Sequence, residues 1–308
     1  MPAKADNPRM NQLPTTPCYL NGSFTPLCDA KISVLDRGFI FGDGIYEVVP
    51  VYGGRPFRFA QHMARLERSL VEMRMANPHS REQWHGIAMG LIGHGAKAAG
   101  VAPEALHQLV YIQVTRGVAM RDHVMPPDIT PTVFAMASPM RPPTPEQLEH
   151  GVACVSADDF RWEKAHIKST SLLGSVFARQ ISFDAGALET VMFRRGYLSE
   201  AAASNVWVVK DGTVYGTPKD NLVLEGIRYG LIEELCRSLG IAYRLKRISR
   251  EEVLAADELL LSSATKEVLP VTTLDGEPVG NPAHKGQPGP IARQLHAAYQ
   301  DAKQADAD

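Results

Sequence analysis

The sequence contains little cysteine: its 308 residues include only Cys18, Cys28, Cys154 and Cys236. These four are far apart and form no Cys-x-x-Cys pair, so neither a zinc site nor a disulfide framework is indicated. We interpret them as small buried hydrophobic residues. His-Glu-x-x-His is also missing, and no metal site is predicted.

Long apolar runs and an excess of charge are missing as well. No stretch approaches the roughly 18 apolar residues of a membrane span, and the first 17 residues lack the apolar region of a signal peptide. With 32 basic and 34 acidic side chains the net charge is −2, which gives no reason to expect nucleic acid or an anionic membrane. We therefore expect a cytoplasmic protein that acts on small molecules.

Several catalytic motifs are not found either. Gly42-Asp43-Gly44 lacks the third glycine of a dinucleotide fingerprint, and there is no Walker loop and no Gly-x-Ser-x-Gly. The length favours two domains, and SPMRPPTP, residues 138–145, contains four prolines that neither a helix nor a central strand would accommodate. The prediction is a mobile tail over residues 1–17, a small domain over 18–138, a linker over 139–145 and a larger domain over 146–308.

Both halves mix strand and helix patterns, which indicates an α+β fold. The first half shows a hairpin at Asn21-Gly22, a β-rich run KISVLDRGFIF, a helix over residues 60–75 and a second helix from the capping box of Ser80 and Gln83. The second half shows helices over residues 172–185, 226–239 and 291–299, with strands including GVACVSA, LETVMFR and ELLLSSA.

Lys168, in HIKSTSLLGSVFARQ, is the candidate nucleophile. A lysine amine can attach an aldehyde cofactor covalently and, once released, can move a proton at the substrate carbon. The apolar residues Ile167, Leu172, Leu173, Val176 and Phe177 have helical spacing and predict a core-facing helix beside it. An ordinary surface lysine is the alternative interpretation, and Lys164 is the rival nucleophile.

Two further segments could hold an anion. Glu225-Gly226-Ile227-Arg228 begins a helix, where free backbone N–H groups attract phosphate, although Gly226 could be only a turn residue. SSATKE, with Ser263 and Ala264, leaves a strand and is either an oxyanion-binding turn or an ordinary polar turn.

The substrate side has three candidate residues. Arg121 and His123 alternate along the chain, so on extended backbone both would point to one side and could hold a carboxylate. A solvated loop is the competing interpretation. Tyr46 lies in an alternating strand and could be a core residue or a ligand.

The segments GDGIYEVVPVYGG, HMARL, TRGVAMRDH, HIKSTSLLG, LSEAAASNVW and LEGI occur in this order. Together they resemble the motifs of the class IV aminotransferases, and most of all the D-amino-acid transaminases, over about residues 19–300. The resemblance implies fold type IV, a two-domain α+β fold with a small α/β domain and a larger domain with a β-barrel-like sheet. It also implies pyridoxal 5′-phosphate in the cleft between the domains, and a homodimer.

Matching position by position, the resemblance assigns a role to each candidate. Lys168 would carry the cofactor and Glu200 would pair with its ring nitrogen. Leu224 would pack on the ring. The phosphate would be held by Arg65, by the helix start at Gly226, Ile227 and Arg228, and by the turn at Ser263 and Ala264. Tyr46, Arg121 and His123 would bind the substrate carboxylate, the last two across the dimer interface.

Some positions depart from the family pattern. Alanines fill positions 201–203 where serines are frequent, Arg228 stands where a threonine is usual, and Ala264 stands where a threonine often binds phosphate. Backbone donors survive such changes, so we still expect the cofactor.

The implied reaction is transamination between D-alanine, D-glutamate or D-aspartate and 2-oxoglutarate or pyruvate. A branched-chain L-aminotransferase and an aminodeoxychorismate lyase are the alternatives within the fold, and the Arg121-x-His123 pair argues against both. A non-catalytic carboxylate-binding module is the alternative from another class.

Overall fold

The computed structural model describes residues 13–305. Most of the predicted tail, residues 1–12, lies outside the described residues. Two sheets organise the rest, one on each side of the proline-rich segment. No helix within residues 13–305 is long and apolar enough to cross a membrane.

The first sheet is antiparallel. Its strands are β1 Pro17–Leu20, β2 Ser23–Pro26, β3 Gly44–Tyr52, β4 Arg55–Pro56, β5 Gln108–Thr115 and β6 Thr132–Pro139. They pair in the order β2-β1-β6-β5-β3-β4. The helices α1 Arg37–Phe41, α2 Phe59–Glu72 and α3 Arg81–Ala99 accompany them. The predicted apolar face of α2, including Leu66 and Leu70, is fully buried in the core of this half.

The second sheet is mixed. Its strands are β7 Val152–Asp158, β8 Glu189–Arg194, β9 Tyr197–Ala201, β10 Asn205–Lys210, β11 Thr213–Gly216, β12 Ala242–Leu245, β13 Glu258–Ser263, β14 Glu267–Leu274 and β15 Glu277–Pro278. They pair in the order β12-β11-β10-β13-β14-β7-β8-β9, with β15 paired to β14. The helices of this half are α4 Pro145–His150, α5 Leu173–Asp184, α6 Ile227–Ser238, α7 Arg250–Leu254 and α8 Pro290–Ala305. The expected α+β fold is confirmed.

The N-terminal run KISVLDRGFIF was interpreted wrongly. Residues 31–35 form no strand, and Asp36 instead caps α1 by accepting a hydrogen bond from the Gly38 N–H at 2.8 Å. A side-chain cap outweighs β propensity there, because it satisfies a helix N–H that would otherwise lack a partner. Cys28 is also exposed, contrary to expectation, whereas the other three cysteines are buried.

The segment that carries Lys168 is fixed to the first sheet. The Tyr46 N–H donates to the Lys168 carbonyl at 2.9 Å, and the Thr170 N–H donates to the Gly44 carbonyl at 2.9 Å. Ile45 and Ser169 form an isolated antiparallel bridge between these bonds. The lysine backbone is therefore held by β3 although α5 belongs to the other half.

Helix α5 does not face the core as predicted. Leu173, Val176 and Phe177 are 68%, 60% and 59% exposed, while Ala178 and Ser182 are its buried residues. Helical spacing identifies an apolar face but not what covers it. This face lies open at the edge of the cavity described next.

Candidate active site

A cavity of about 1210 Å³ opens where the two halves meet. Its walls come from β3, from α2, from residues 160–176, from β9, from the start of α6 and from the turn after β13. All the predicted cofactor residues line it, namely Lys168, Glu200, Arg65, Leu224, Gly226, Ile227, Arg228, Ser263 and Ala264. Tyr46 lines it as well.

Lys168 places its amine over an aromatic ring at the cavity wall. Its Nζ lies 4.1 Å from the centre of the Tyr46 ring, a cation–π distance. Tyr46 in turn stacks on Tyr111 with 5.8 Å between ring centres. The rival Lys164 is exposed and lies outside the set of residues that line the cavity.

Glu200 presents a buried carboxylate on β9 and is only 5% exposed. Arg161 Nη1 donates to its Oε1 at 2.6 Å, while Asn205 Nδ2 and the Leu224 N–H donate to its Oε2 at 3.2 and 3.3 Å. Burial raises the pKa of this carboxyl to about 7, against the opposing effect of Arg161. Protonation of Glu200 is therefore sensitive to Arg161.

Arg161 is itself fixed from behind. Its Nε and Nη2 both bond Asp159 at 3.0 Å, and Arg194 Nη2 lies 3.2 Å from the same carboxylate. Burial would lower the pKa of Arg161, but Asp159 and Glu200 together raise it above its usual value. Arg194, Asp159, Arg161 and Glu200 form a chain of alternating charges that ends at the cavity.

Arg65 lies at the other end of the cavity and is already paired. Its Nε and Nη2 donate to Glu47 at 2.7 and 2.9 Å, and its Nη1 donates to the Glu225 carbonyl at 3.2 Å. His62 Nδ1 lies 2.7 Å from Glu47 Oε2, which must act as the acceptor because a carboxylate has no proton to give. Burial would raise the pKa of Glu47, but Arg65 and His62 hold it well below its usual range.

The start of α6 is open to a ligand. Gly226 caps the helix without any side-chain hydrogen bond, so the first backbone N–H groups are not satisfied in that way. A Cβ at this position would collide with Asn205 Oδ1. Gly226 is therefore more than turn punctuation, because a side chain here would displace the residue that holds Glu200.

The turn after β13 offers mainly backbone donors. Ser263 Oγ accepts from the N–H groups of Thr265 and Lys266 at 3.4 and 3.1 Å, and Ala264 has no hydroxyl. Ser204, which follows the alanines at positions 201–203, donates to Glu189 Oε2 at 3.1 Å and faces away from a ligand role. Thr265, which also lines the cavity, is the remaining hydroxyl of the turn.

Arg121 and His123 are not brought to the cavity within one chain. Both are exposed, and neither belongs to the set of residues that line it. The Arg121 guanidinium lies 5.5 Å from the ring centre of Phe41, and the His123 ring lies 5.4 Å from it. Phe41 does line the cavity, so the pair sits together just outside its edge.

Four important residues were missed by the sequence interpretation. Glu47 follows Tyr46 directly, and His62 and Arg65 are three apart on α2, a spacing that places both on one helical face. That pattern could have been found. Arg161 and Asn205 carry no such signal, because only the folded chain brings them to Glu200.

The residues present fit pyridoxal phosphate. An amine for an aldehyde, a buried acid for a ring nitrogen and an uncapped helix start for a phosphate all line one cavity. Arg228 Nε lacks a hydrogen-bond partner at the same helix start although it is buried. A cofactor that carries an aldehyde, a basic ring and a phosphate would engage each of these groups.

Comparison with known proteins identifies the family. The family model for amino-transferase class IV matches residues 44–274. The chain belongs to the class IV aminotransferases. It is 35% identical to the D-alanine aminotransferase of Bacillus licheniformis, over 91% of this chain and 95% of that protein. It is 36% identical to the D-alanine aminotransferase of Staphylococcus aureus strain MSSA476, over 92% and 96% respectively.

Solved structures show the same fold. The branched-chain amino acid aminotransferase of Escherichia coli superposes with a TM-score of 0.80 at 25% identity, covering 93% of this chain and 94% of that one. A second branched-chain amino acid aminotransferase, from T.th. and complexed with N-(5′-phosphopyridoxyl)-L-glutamate, gives 0.83 at 23% identity, covering 96% of each chain. The expectation of a fold type IV aminotransferase that depends on pyridoxal phosphate is confirmed.

Proposed function

We propose that this enzyme transfers the amino group of a D-amino acid, such as D-alanine, D-glutamate or D-aspartate, to 2-oxoglutarate or pyruvate. The observation that carries the proposal is the Lys168 amine, held by β3 in one cavity with the Glu200 carboxylate and the open start of α6. The D-alanine aminotransferases that it resembles at 35–36% identity support the choice of D-amino acids.

The chemistry is divided among the residues of the cavity. Pyridoxal 5′-phosphate, when bound, supplies an aldehyde for covalent attachment and a ring that accepts electrons. The Lys168 amine is the attachment point and, once displaced by the amino substrate, carries the proton that leaves the substrate α-carbon. Glu200 keeps a proton on the ring nitrogen, and Leu224 packs on the ring.

The phosphate end is assigned to Arg65, to the backbone N–H groups of Ile227 and Arg228 beside Gly226, and to the Ser263-Ala264 turn. Helix dipole and unsatisfied N–H groups favour an anion at such a position. The alanines at positions 201–203 and 264 reduce the number of hydroxyl contacts, so backbone donors carry more of the binding.

The substrate carboxylate requires residues that one chain does not supply to its own cavity. We therefore propose a homodimer in which Arg121 and His123 of a second copy reach the cavity and join Tyr46. Large apolar side chains that line the cavity are exposed in the single chain, among them Leu173 at 68%, Val176 at 60% and Phe183 at 69%. Apolar exposure of this kind at the edge of a pocket is typical of an interaction surface.

Initial rates with D-alanine, D-glutamate, D-aspartate and L-leucine as donors, with 2-oxoglutarate or pyruvate as acceptor, test the proposal. D-alanine should react faster than L-leucine. Faster turnover of L-leucine would replace the proposal by the branched-chain alternative. Binding of carboxylates without turnover of any donor would favour the non-catalytic module instead. The cytoplasmic location stays a prediction.

A further inference from the structure

Arg228 is the second residue of α6 and is unusual in its surroundings. It is 2% exposed, lines the cavity and, among residues 13–305, has no acidic group within ion-pairing distance. Its Nη2 donates to the Tyr299 hydroxyl at 2.7 Å, but its Nε is buried without a partner. A guanidinium does not lose its proton in proteins, so the charge stays in place. An uncompensated buried charge is costly, and such groups are normally paired.

The charges behind Arg228 are already balanced. Tyr299 Oη lies 3.5 Å from Tyr52 Oη, which donates to Glu267 at 3.0 Å. Glu267 is itself paired with Lys303 at 2.9 Å. The nearest acid on that side therefore has its own cation, and its charge does not offset that of Arg228.

The charges on the α2 side are balanced as well. Arg65 is bound through two nitrogens to Glu47, which is fully buried, so this arginine contributes little net charge to the cavity. Burial lowers the pKa of His62 to about 4, so the ring is neutral near pH 7. The remaining positive charge at this end of the cavity belongs to Arg228.

We propose that the Arg228 side chain supplies the charge that balances a bound phosphate at the start of α6. The inference rests on the proposed function and goes beyond it, since Arg65 and the backbone donors are the phosphate contacts expected from the family. In this chain the arginine stands where the family usually has a threonine. Affinity for the phosphate group should therefore depend on a cation that most relatives do not need.

The experiment compares Arg228→Met with the unmodified full-length chain in binding pyridoxal 5′-phosphate and pyridoxal, which lacks the phosphate. Losing a charge-assisted contact should weaken pyridoxal phosphate by roughly ten- to a hundredfold. Pyridoxal affinity should stay the same. Equal weakening of both ligands, or of neither, would overturn the inference.

Two control variants separate charge from structure. Arg68→Met removes an exposed arginine that lies 3.6 Å from Glu225, near the same helix, and should leave both affinities unchanged. Tyr299→Phe removes the hydrogen bond to Arg228 but keeps the cation, and should preserve the preference for the phosphorylated ligand. Loss of that preference in either control would assign the effect to packing or to general surface charge.

Thermal unfolding gives a second readout that does not need turnover. Without cofactor, Arg228→Met should raise the Tm, because an uncompensated charge has left the interior. The rise in Tm that inorganic phosphate produces in the unmodified chain should shrink in the variant. A lower Tm together with an undiminished response to phosphate would show that Arg228 serves packing alone.

The two proposals fail in different ways. If the unmodified chain binds no pyridoxal phosphate, the proposed function is wrong. If it binds the cofactor and Arg228→Met keeps the full preference over pyridoxal, only this inference is wrong.

Discussion

The two halves of the site differ in how far one chain completes them. Around Lys168, Glu200 and Arg65 each charged group is buried and held by named partners before any ligand arrives. Arg121 and His123 are exposed and lie outside the cavity. The cofactor half is thus organised within the fold, whereas the proposed substrate half depends on a second copy. Changes to the first half should affect chemistry in every substrate, and changes to the second should affect substrate selection.

Replacing Lys168 by Ala should have the largest effect. Loss of its proton transfer alone should reduce turnover by roughly 10²- to 10⁴-fold. Lys164→Ala is the matched control, because that lysine is exposed and four residues away. Borohydride treatment followed by peptide mapping should find the cofactor on Lys168 in the unmodified enzyme. A label on Lys164 would contradict the assignment.

Replacing Glu200 by Gln should come next, because the amide has no negative charge to stabilise a protonated ring nitrogen. We expect turnover to fall by roughly ten- to a hundredfold, the order of one lost charge-assisted bond. Steady-state rates should be compared with a spectroscopic titration of the cofactor. Weaker cofactor binding with an unchanged rate per bound cofactor would show that the role given to Glu200 is wrong.

Replacing Arg121 by Ala tests the other half of the comparison. Turnover of D-alanine should fall by roughly ten- to a hundredfold, since a guanidinium binds a carboxylate through charge-assisted hydrogen bonds. Cofactor attachment should be unchanged. Arg195→Ala, at an arginine whose side chain is 83% exposed, is the control. If both variants behave like the unmodified enzyme, Arg121 belongs to a solvated loop.

Arg161→Met should have the smallest effect at high pH and a clear one at low pH. The pKa of Glu200 is already raised to about 7 by burial, and removal of the neighbouring cation should raise it further. A raised pKa means that the carboxylate form is lost as the pH falls. The acid limb of the rate profile should therefore move to higher pH. Arg161→Lys should restore part of the shift, and an unmoved limb would limit Arg161 to a structural role.

The sequence allowed prediction wherever a signal was local. The capping boxes at Ser80 and Ser249, the hairpin at Asn21-Gly22 and the apolar face of α2 appear as expected. Strand β9, which carries Glu200, was missed as an element although its motif was recognised, because the strand is buried on nearly every residue and does not alternate.

Contacts between distant segments were beyond local patterns. Nothing near Arg161 indicates that its partner is Glu200, 39 positions away. The exposed face of α5 also has the spacing of a core helix, and the chain alone does not show whether a second copy or the interior covers it.

A mixture of two inactive variants tests the divided site most directly. Lys168→Ala and Arg121→Ala chains would be unfolded together, refolded as a mixture and assayed with D-alanine. In a symmetric dimer with shared sites, each mixed dimer regains one complete site, so about a quarter of all sites should be intact. The account predicts activity well above the average of the separately refolded variants. Activity no higher than that average would contradict a site built from two copies of the chain.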